Sequence, residues 1–185
     1  MASLHISSSC TLLVVDIQER LLSAMPEEQA TKIVRRSKTL VELAKMAGAQ
    51  IYYTEQYPKG LGRTEASLLE TLENAGAEGM EKVHFDVCAA PTFQEALQQI
   101  RRRVIVCGME AHICVQATAC SLSNQGKEVL VPFDAVCSRE ESYKENGIEV
   151  IRRSGGIITN TETLVFGTLG YSQHPEFKRF SKMIQ

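Results

Sequence analysis

Tryptophan is absent from this sequence, and aromatic residues make up only 6% of it. The formal net charge is −2. The chain therefore has neither a basic field nor an aromatic-basic surface on which nucleic acid would stack, and no charge to hold it on an anionic membrane. The one basic cluster, Arg101-Arg102-Arg103, falls between a helical pattern and a strand pattern and reads as a solvated helix end. No apolar run approaches the length of a membrane span. The stretch from Met1 to Cys10 has no basic n-region, no long apolar core and no arginine, so neither a secretory signal nor a transit peptide is expected. C-x-x-C spacing is missing among the six cysteines, Cys10, Cys88, Cys107, Cys114, Cys120 and Cys137. That excludes a disulfide or zinc-ribbon framework and points to reduced, mostly buried thiols in a cytoplasmic protein. An organelle address would have to act here without a recognisable presequence.

What is present is an ordinary globular composition, with 44% hydrophobic and 23% charged residues. A chain of 185 residues is expected to form one domain, 1–185. Short apolar runs alternate with helical periodicity. Thr11–Asp16, Gln50–Thr54, Arg103–Cys107, Glu128–Pro132 and Ile157–Ile158 read as strands, with Glu81–Phe85 a short strand or extended loop. A long helix opens at Pro26 and closes at Gly48. Thr64 is expected to cap a helix through Leu72, and Pro91 to begin another. A further helix runs from Ala111 to Asn124. Ser138 and Glu141 form an expected capping box for the helix ending near Arg153, and two short helices follow Thr161 and Pro175. This alternation predicts an α/β fold: a Rossmann-like three-layer α/β/α sandwich with a mostly parallel sheet of about six strands. Ligands of such sheets bind at the carboxyl edge of the strands.

Three polar residues fall near that edge. Asp16 ends the first strand, Lys82 lies near the start of a third extended segment, and Cys114 follows the strand at Val104–Val106 by one tight turn. A thiol in the first turn of a helix feels the positive end of the dipole, which favours thiolate. The unpartnered N–H groups there suit a developing negative charge. A carboxylate takes a thiol proton, and an ammonium holds that carboxylate charged. Taken singly, each residue has a structural explanation: a turn cap, a solvated lysine, a small buried hydrophobe.

Their combination carries a resemblance. Val14-Val-Asp-Ile-Gln18, the isolated Lys82 and Gly108-Met-Glu-Ala-His-Ile-Cys-Val115 are similar to the three signatures of the isochorismatase-like cysteine hydrolases, in order and spacing, over nearly the whole chain. Thr54-Glu-Gln-Tyr-Pro-Lys-Gly-Leu-Gly62 and His174-Pro-Glu-Phe-Lys178 resemble the isochorismatase domain-containing subgroup. The resemblance implies an Asp16-Lys82-Cys114 triad and a non-proline cis peptide at Met109–Glu110. It also implies an oxyanion hole made by the backbone N–H groups of Glu110 and Cys114, and assembly as a dimer or higher homo-oligomer. Gln18, Leu21, Gln56, Tyr57 and His112 are the expected pocket residues. Where many members have Thr three residues before the cysteine this chain has Ala111, and where many have Phe five residues after the aspartate it has Leu21. The nicotinamidase branch binds metal through an Asp-x-His segment after the second strand. Here that region is Thr54-Glu-Gln-Tyr-Pro with no histidine, so no metal and no cofactor are expected.

The function expected is hydrolysis of a small amide or related carbonyl compound through a cysteine thioester. The alternatives are a binding or scaffold protein that keeps the fold but turns over nothing, a vinyl ether hydrolase of the isochorismatase type, and a nucleic-acid enzyme, which the charge argues against.

Overall fold

A computed structural model describes residues 4–185. The opening residues of the expected domain and leader region, 1–3, lie outside the described residues. Seven strands form one sheet: β1 (Cys10–Val15), β2 (Gln50–Gln56), β3 (Glu78–Lys82), β4 (Arg103–Met109), β5 (Glu128–Pro132), β6 (Val136–Cys137) and β7 (Ile157–Thr159). The spatial order is β3-β2-β1-β4-β5-β7, with the two-residue β6 pairing β4 beyond the end of β5, and every pairing is parallel. The helices are α1 (Glu19–Leu22), α2 (Glu27–Met46), α3 (Pro58–Leu61), α4 (Ala66–Asn74), α5 (Gln94–Gln99), α6 (Gln116–Asn124), α7 (Glu141–Arg153), α8 (Thr161–Leu169) and α9 (Phe177–Met183).

Strand side chains alternate between faces, so each buried strand feeds two cores. Leu12, Val14, Ile105, Cys107 and Leu130 pack with Leu40, Leu43, Leu68, Leu164 and Phe180 from α2, α4, α8 and α9. Leu13, Val15, Val104, Val106 and Val131 pack with Ala96, Ala119, Leu122 and Ile151 from α5, α6 and α7. Two dry faces explain why β1 and β4 read as unbroken apolar runs. The three-layer α/β/α expectation holds, with one strand more than the pattern showed. No described helix is long and apolar enough to cross a membrane.

Four local expectations need correction. The third strand is Glu78–Lys82, so Lys82 ends it rather than opening an extended segment at Glu81–Phe85, and Val83 and Phe85 stand exposed beyond it. Glu65, not Thr64, caps α4, accepting from Ser67 N (3.1 Å) and Leu68 N (2.8 Å). The Thr64 hydroxyl and N–H are held instead by the buried Glu55 carboxylate. Ser138 forms no capping box, because its hydroxyl pairs with His112 Nδ1 at 2.9 Å and α7 begins after an uncapped Glu140. Pro91 opens a 3-10 turn, Pro91–Phe93, and the α-helix proper starts at Gln94.

Candidate active site

The sheet reverses its winding at β1. From there β2 and β3 run one way, and the chain returns to lay β4 on the other side. The crevice of a doubly wound sheet opens outside the carboxyl ends of the two strands at that reversal. Asp16 is the first residue past β1, and Cys114 lies in the turn that follows β4. The two strands approach closely there because Gly108 has no side chain. Its φ is +125°, and a Cβ on it would lie 2.0 Å from the Val15 carbonyl oxygen. Asp16 itself adopts a left-handed backbone (φ 51°), which aspartate tolerates better than most residues.

The Asp16 carboxylate is fully enclosed. Its Oδ2 accepts from Lys82 Nζ at 2.6 Å and its Oδ1 from the Thr54 hydroxyl at 2.7 Å. The Cys114 thiol lies beside the same carboxylate, near enough for each group to act on the other's proton. Lys82 reaches it from two strands away. Its register partner on β2 is Gln56, and the ammonium also donates to Gln56 Oε1 (2.7 Å) and the His84 carbonyl (3.1 Å). Thr54 was not singled out from sequence. The signal available was a polar β-branched residue at the carboxyl end of a buried strand.

Burial sets the electrostatics. It is the largest influence on Asp16 and raises its pKa above the ordinary value, against the Lys82 charge and the hydrogen bonds from Lys82, Thr54 and Cys114. Burial also pushes the Cys114 thiol up to about 12, and the Asp16 charge adds to it, with Lys82 opposing. Burial of a thiol that is 6% exposed, beside a carboxylate, thus works against the helix-dipole tendency toward thiolate.

The turn carrying Cys114, Ala111–Val115, is a π-turn, with Val115 N–H donating to the Glu110 carbonyl at 3.2 Å. The peptide bond Met109–Glu110 is cis. The Glu110 carboxylate is held by Arg139 Nε at 3.0 Å. On the far side of the turn α7 packs through Gly147, where a Cβ would meet the Ala111 carbonyl oxygen at 2.7 Å. His112 faces α7, bound to Ser138 and lying 5.0 Å from the Tyr143 ring, so its ring supports the turn.

The other expected pocket residues separate. Tyr57 lines a cleft of about 440 Å³ with Pro58, Lys82, Val83, His84 and Pro91. Leu21 packs against the α2 face of the core. Gln18 is fully enclosed and uses its amide internally, donating to the Gln56 carbonyl (3.0 Å) and the Gly62 carbonyl (2.7 Å) and accepting from Gln56 N–H (2.7 Å). Gln56 likewise points into this network. A larger groove of about 610 Å³ runs between α2, α4 and α9, past Val34, Lys38 and Met183, and none of Asp16, Lys82 or Cys114 lines it. Among the described residues no three of His, Cys, Asp or Glu converge as metal ligands.

The sequence matches the model of the isochorismatase domain over residues 10–163. It is 32% identical over 178 residues to isochorismatase domain-containing protein 2 of Danio rerio, covering 94% of this chain and 85% of that one. It is 31% identical over 183 residues to the secreted isochorismatase effector Isc1 of Phytophthora sojae, covering 97% and 86%. A solved structure described as the MAR1 ribonuclease of Caenorhabditis elegans superposes with a TM-score of 0.85 at 34% identity, over 97% of this chain and 92% of that one. With an acid, an amine and a thiol gathered at the switch point of this fold, and a family model that spans most of the sequence, the chain belongs to the isochorismatase family, alongside the isochorismatase domain-containing proteins.

Proposed function

We propose that this protein is a cysteine hydrolase of a small amide or related carbonyl compound. The observation that carries the reading is the enclosed Asp16 carboxylate, bound to the Lys82 ammonium at 2.6 Å with the Cys114 thiol beside it. Asp16 takes the thiol proton as the sulfur attacks the carbonyl carbon. The N–H groups of Glu110 and Cys114 hold the oxyanion. The tetrahedral adduct collapses to a thioester, and the amine leaves with the proton from Asp16. Water then attacks the thioester while giving a proton to Asp16. The acid product departs, and the proton returns to sulfur. Asp16 carries every proton in the cycle, from the thiol to the leaving amine and from water back to sulfur, while Lys82 holds it in place.

The raised thiol pKa fits this scheme. Proton removal is coupled to attack, so the sulfur is not a standing anion open to oxidation. Incubation with a panel of small amides, with mass detection of an acyl adduct on Cys114, tests the reading. Wild type is expected to accumulate or turn over an adduct, and Cys114→Ala to do neither. Full turnover by Cys114→Ala would overturn it.

The C. elegans relative is described as a ribonuclease, which raises RNA as a second substrate. The charge distribution weighs against it here. Arg101-Arg102-Arg103 borders the amino end of β4, and the thiol lies past its carboxyl end, about 20 Å away at the usual rise per residue. Tight RNA binding that weakens steeply with salt would favour that second reading.

A further inference from the structure

Lys82 is usefully charged only if its ammonium stays aimed at Asp16, and Gln56 is built to keep it there. We infer that Gln56 is a positioning residue for thiol activation: it fixes the Lys82 ammonium against Asp16, so that Asp16 remains the carboxylate that accepts the Cys114 proton. The inference rests on the hydrolase reading above.

An ammonium has three N–H donors. Here all three are used, on Asp16 Oδ2 (2.6 Å), Gln56 Oε1 (2.7 Å) and the His84 carbonyl (3.1 Å). None remains for a substrate without breaking one of these bonds. Lys82 therefore acts on the carboxylate rather than as a substrate ligand. The Gln56 amide can present only its oxygen to Lys82, because its nitrogen donates to the Val83 carbonyl at 2.9 Å. An oxygen turned this way accepts from the ammonium and holds it in place. Gln56 is in turn held by its own backbone. The Gln18 side-chain amide receives the Gln56 N–H (2.7 Å) and donates to the Gln56 carbonyl (3.0 Å), imitating one more residue of ladder beyond the end of β1. The same amide binds the Gly62 carbonyl, so the 57–64 segment and Gln56 share one anchor. A chain of contacts thus runs Gln18, Gln56, Lys82, Asp16, Cys114, each link enclosed. The charged groups acting on the thiol are Asp16, Lys82 and Glu110.

The bland alternative is that Gln56 only ties down the loop at Val83. The rate of Cys114 alkylation by iodoacetamide separates the two, read by peptide mass from acid to neutral pH and needing no substrate. Wild type is expected to show an acid limb as Asp16 gains a proton. Gln56→Met removes the acceptor and should slow labelling at neutral pH about tenfold, the usual scale for a lost hydrogen bond to a charged group. Gln56→Glu keeps the size but adds a negative charge beside the pair, raising its hold on the proton, so the acid limb should move to higher pH. A wild-type rate in Gln56→Met would overturn the inference, whatever the limb of Gln56→Glu, because the added charge shifts that limb by itself. Should Gln56→Met fail to fold, Gln56→Asn, which keeps the amide but draws its oxygen back from Lys82, decides by its labelling rate at neutral pH. Asp16→Asn is the control. If it leaves Cys114 labelling unchanged, the acid–thiol reading itself fails, whereas a strong effect of Asp16→Asn beside silent Gln56 variants sinks only the role of Gln56.

Discussion

The sheet carries a lysine–aspartate pair at the carboxyl edge and an arginine–glutamate pair at the amino edge, and burial gives them opposite characters. Arg103 and Glu128 are register partners where β4 and β5 begin. Their contact is two-pronged, Nη2 to Oε1 at 2.9 Å and Nε to Oε2 at 3.1 Å, with side chains 16% and 28% exposed. The Arg103 hydrogen bond outweighs burial there, and Glu128 ionises more readily than an ordinary glutamate. Lys82 and Asp16 sit closer, with side chains 1% and 0% exposed, yet burial dominates and Asp16 holds its proton more tightly than usual. A wet pair locks strand register. A dry pair keeps a carboxylate reluctant to be charged, and such a carboxylate is an effective base for a neighbouring thiol.

The largest expected break in this contrast is Asp16→Asn. Removing a general base should lower kcat by about 10²–10⁴-fold, measured on whichever amide wild type turns over. Lys82→Met comes next. Stranding a buried carboxylate should cost about 3–5 kcal/mol of stability at neutral pH. The folded Asp16 would then bind a proton that the unfolded chain does not, so the deficit in denaturant midpoint should shrink as pH falls. A deficit that grows on acidification would contradict the dry-pair account. In wild type, activity needs Asp16 ionised and should fall as pH drops through a limb lying above the ordinary carboxylate range, because the Asp16 pKa is raised. A pH–rate profile whose acid limb sits at or below that range would count against it. Arg103→Met should have the smallest effect, about 1 kcal/mol or less, with kcat unchanged. Glu128 has a lowered pKa in the fold, so its contribution is present above its unfolded value and is lost as pH falls through the folded one. Stability of Arg103→Met should accordingly depend less on acid pH than that of wild type, as urea titrations at two pH values would register.

The fold was legible wherever strands are dry on both faces. β1 and β4 announce themselves because nothing polar interrupts Leu12–Val15 or the run from Val104. β3 did not, since it is an edge strand with Glu78, Gly79 and Glu81 exposed, and an edge strand has no hydrophobic pattern to read. Short elements such as α1, α3 and β6 were likewise invisible, being too brief for periodicity. At the site, Asp16, Lys82 and Cys114 were visible as residue types at strand ends. Their consequences were not. The dipole argument for Cys114 concerned the turn it sits in, whereas its proton affinity is decided by a desolvation that only three-dimensional closure creates. Gln18 and Gln56 are expected pocket residues by sequence, which does not reveal that the Gln18 amide is spent on the backbone of Gln56 and Gly62, or the Gln56 amide on Lys82 and the Val83 carbonyl.

Gly108 has a consequence for how such a site can change. Since even one methyl group there would collide with the Val15 carbonyl oxygen, the strand that delivers the acid and the strand that delivers the thiol are locked at backbone distance. Substitutions that widen or narrow specificity have no freedom in that spacing. The side chains that border the neighbouring cleft, Tyr57–Lys59, Val83–His84 and Ala90–Thr92, lie outside that fixed spacing. Under the proposed function, the reactive frame and the selecting surface are separable parts, and a change of substrate would be written in the loops while the frame stayed fixed in the sheet.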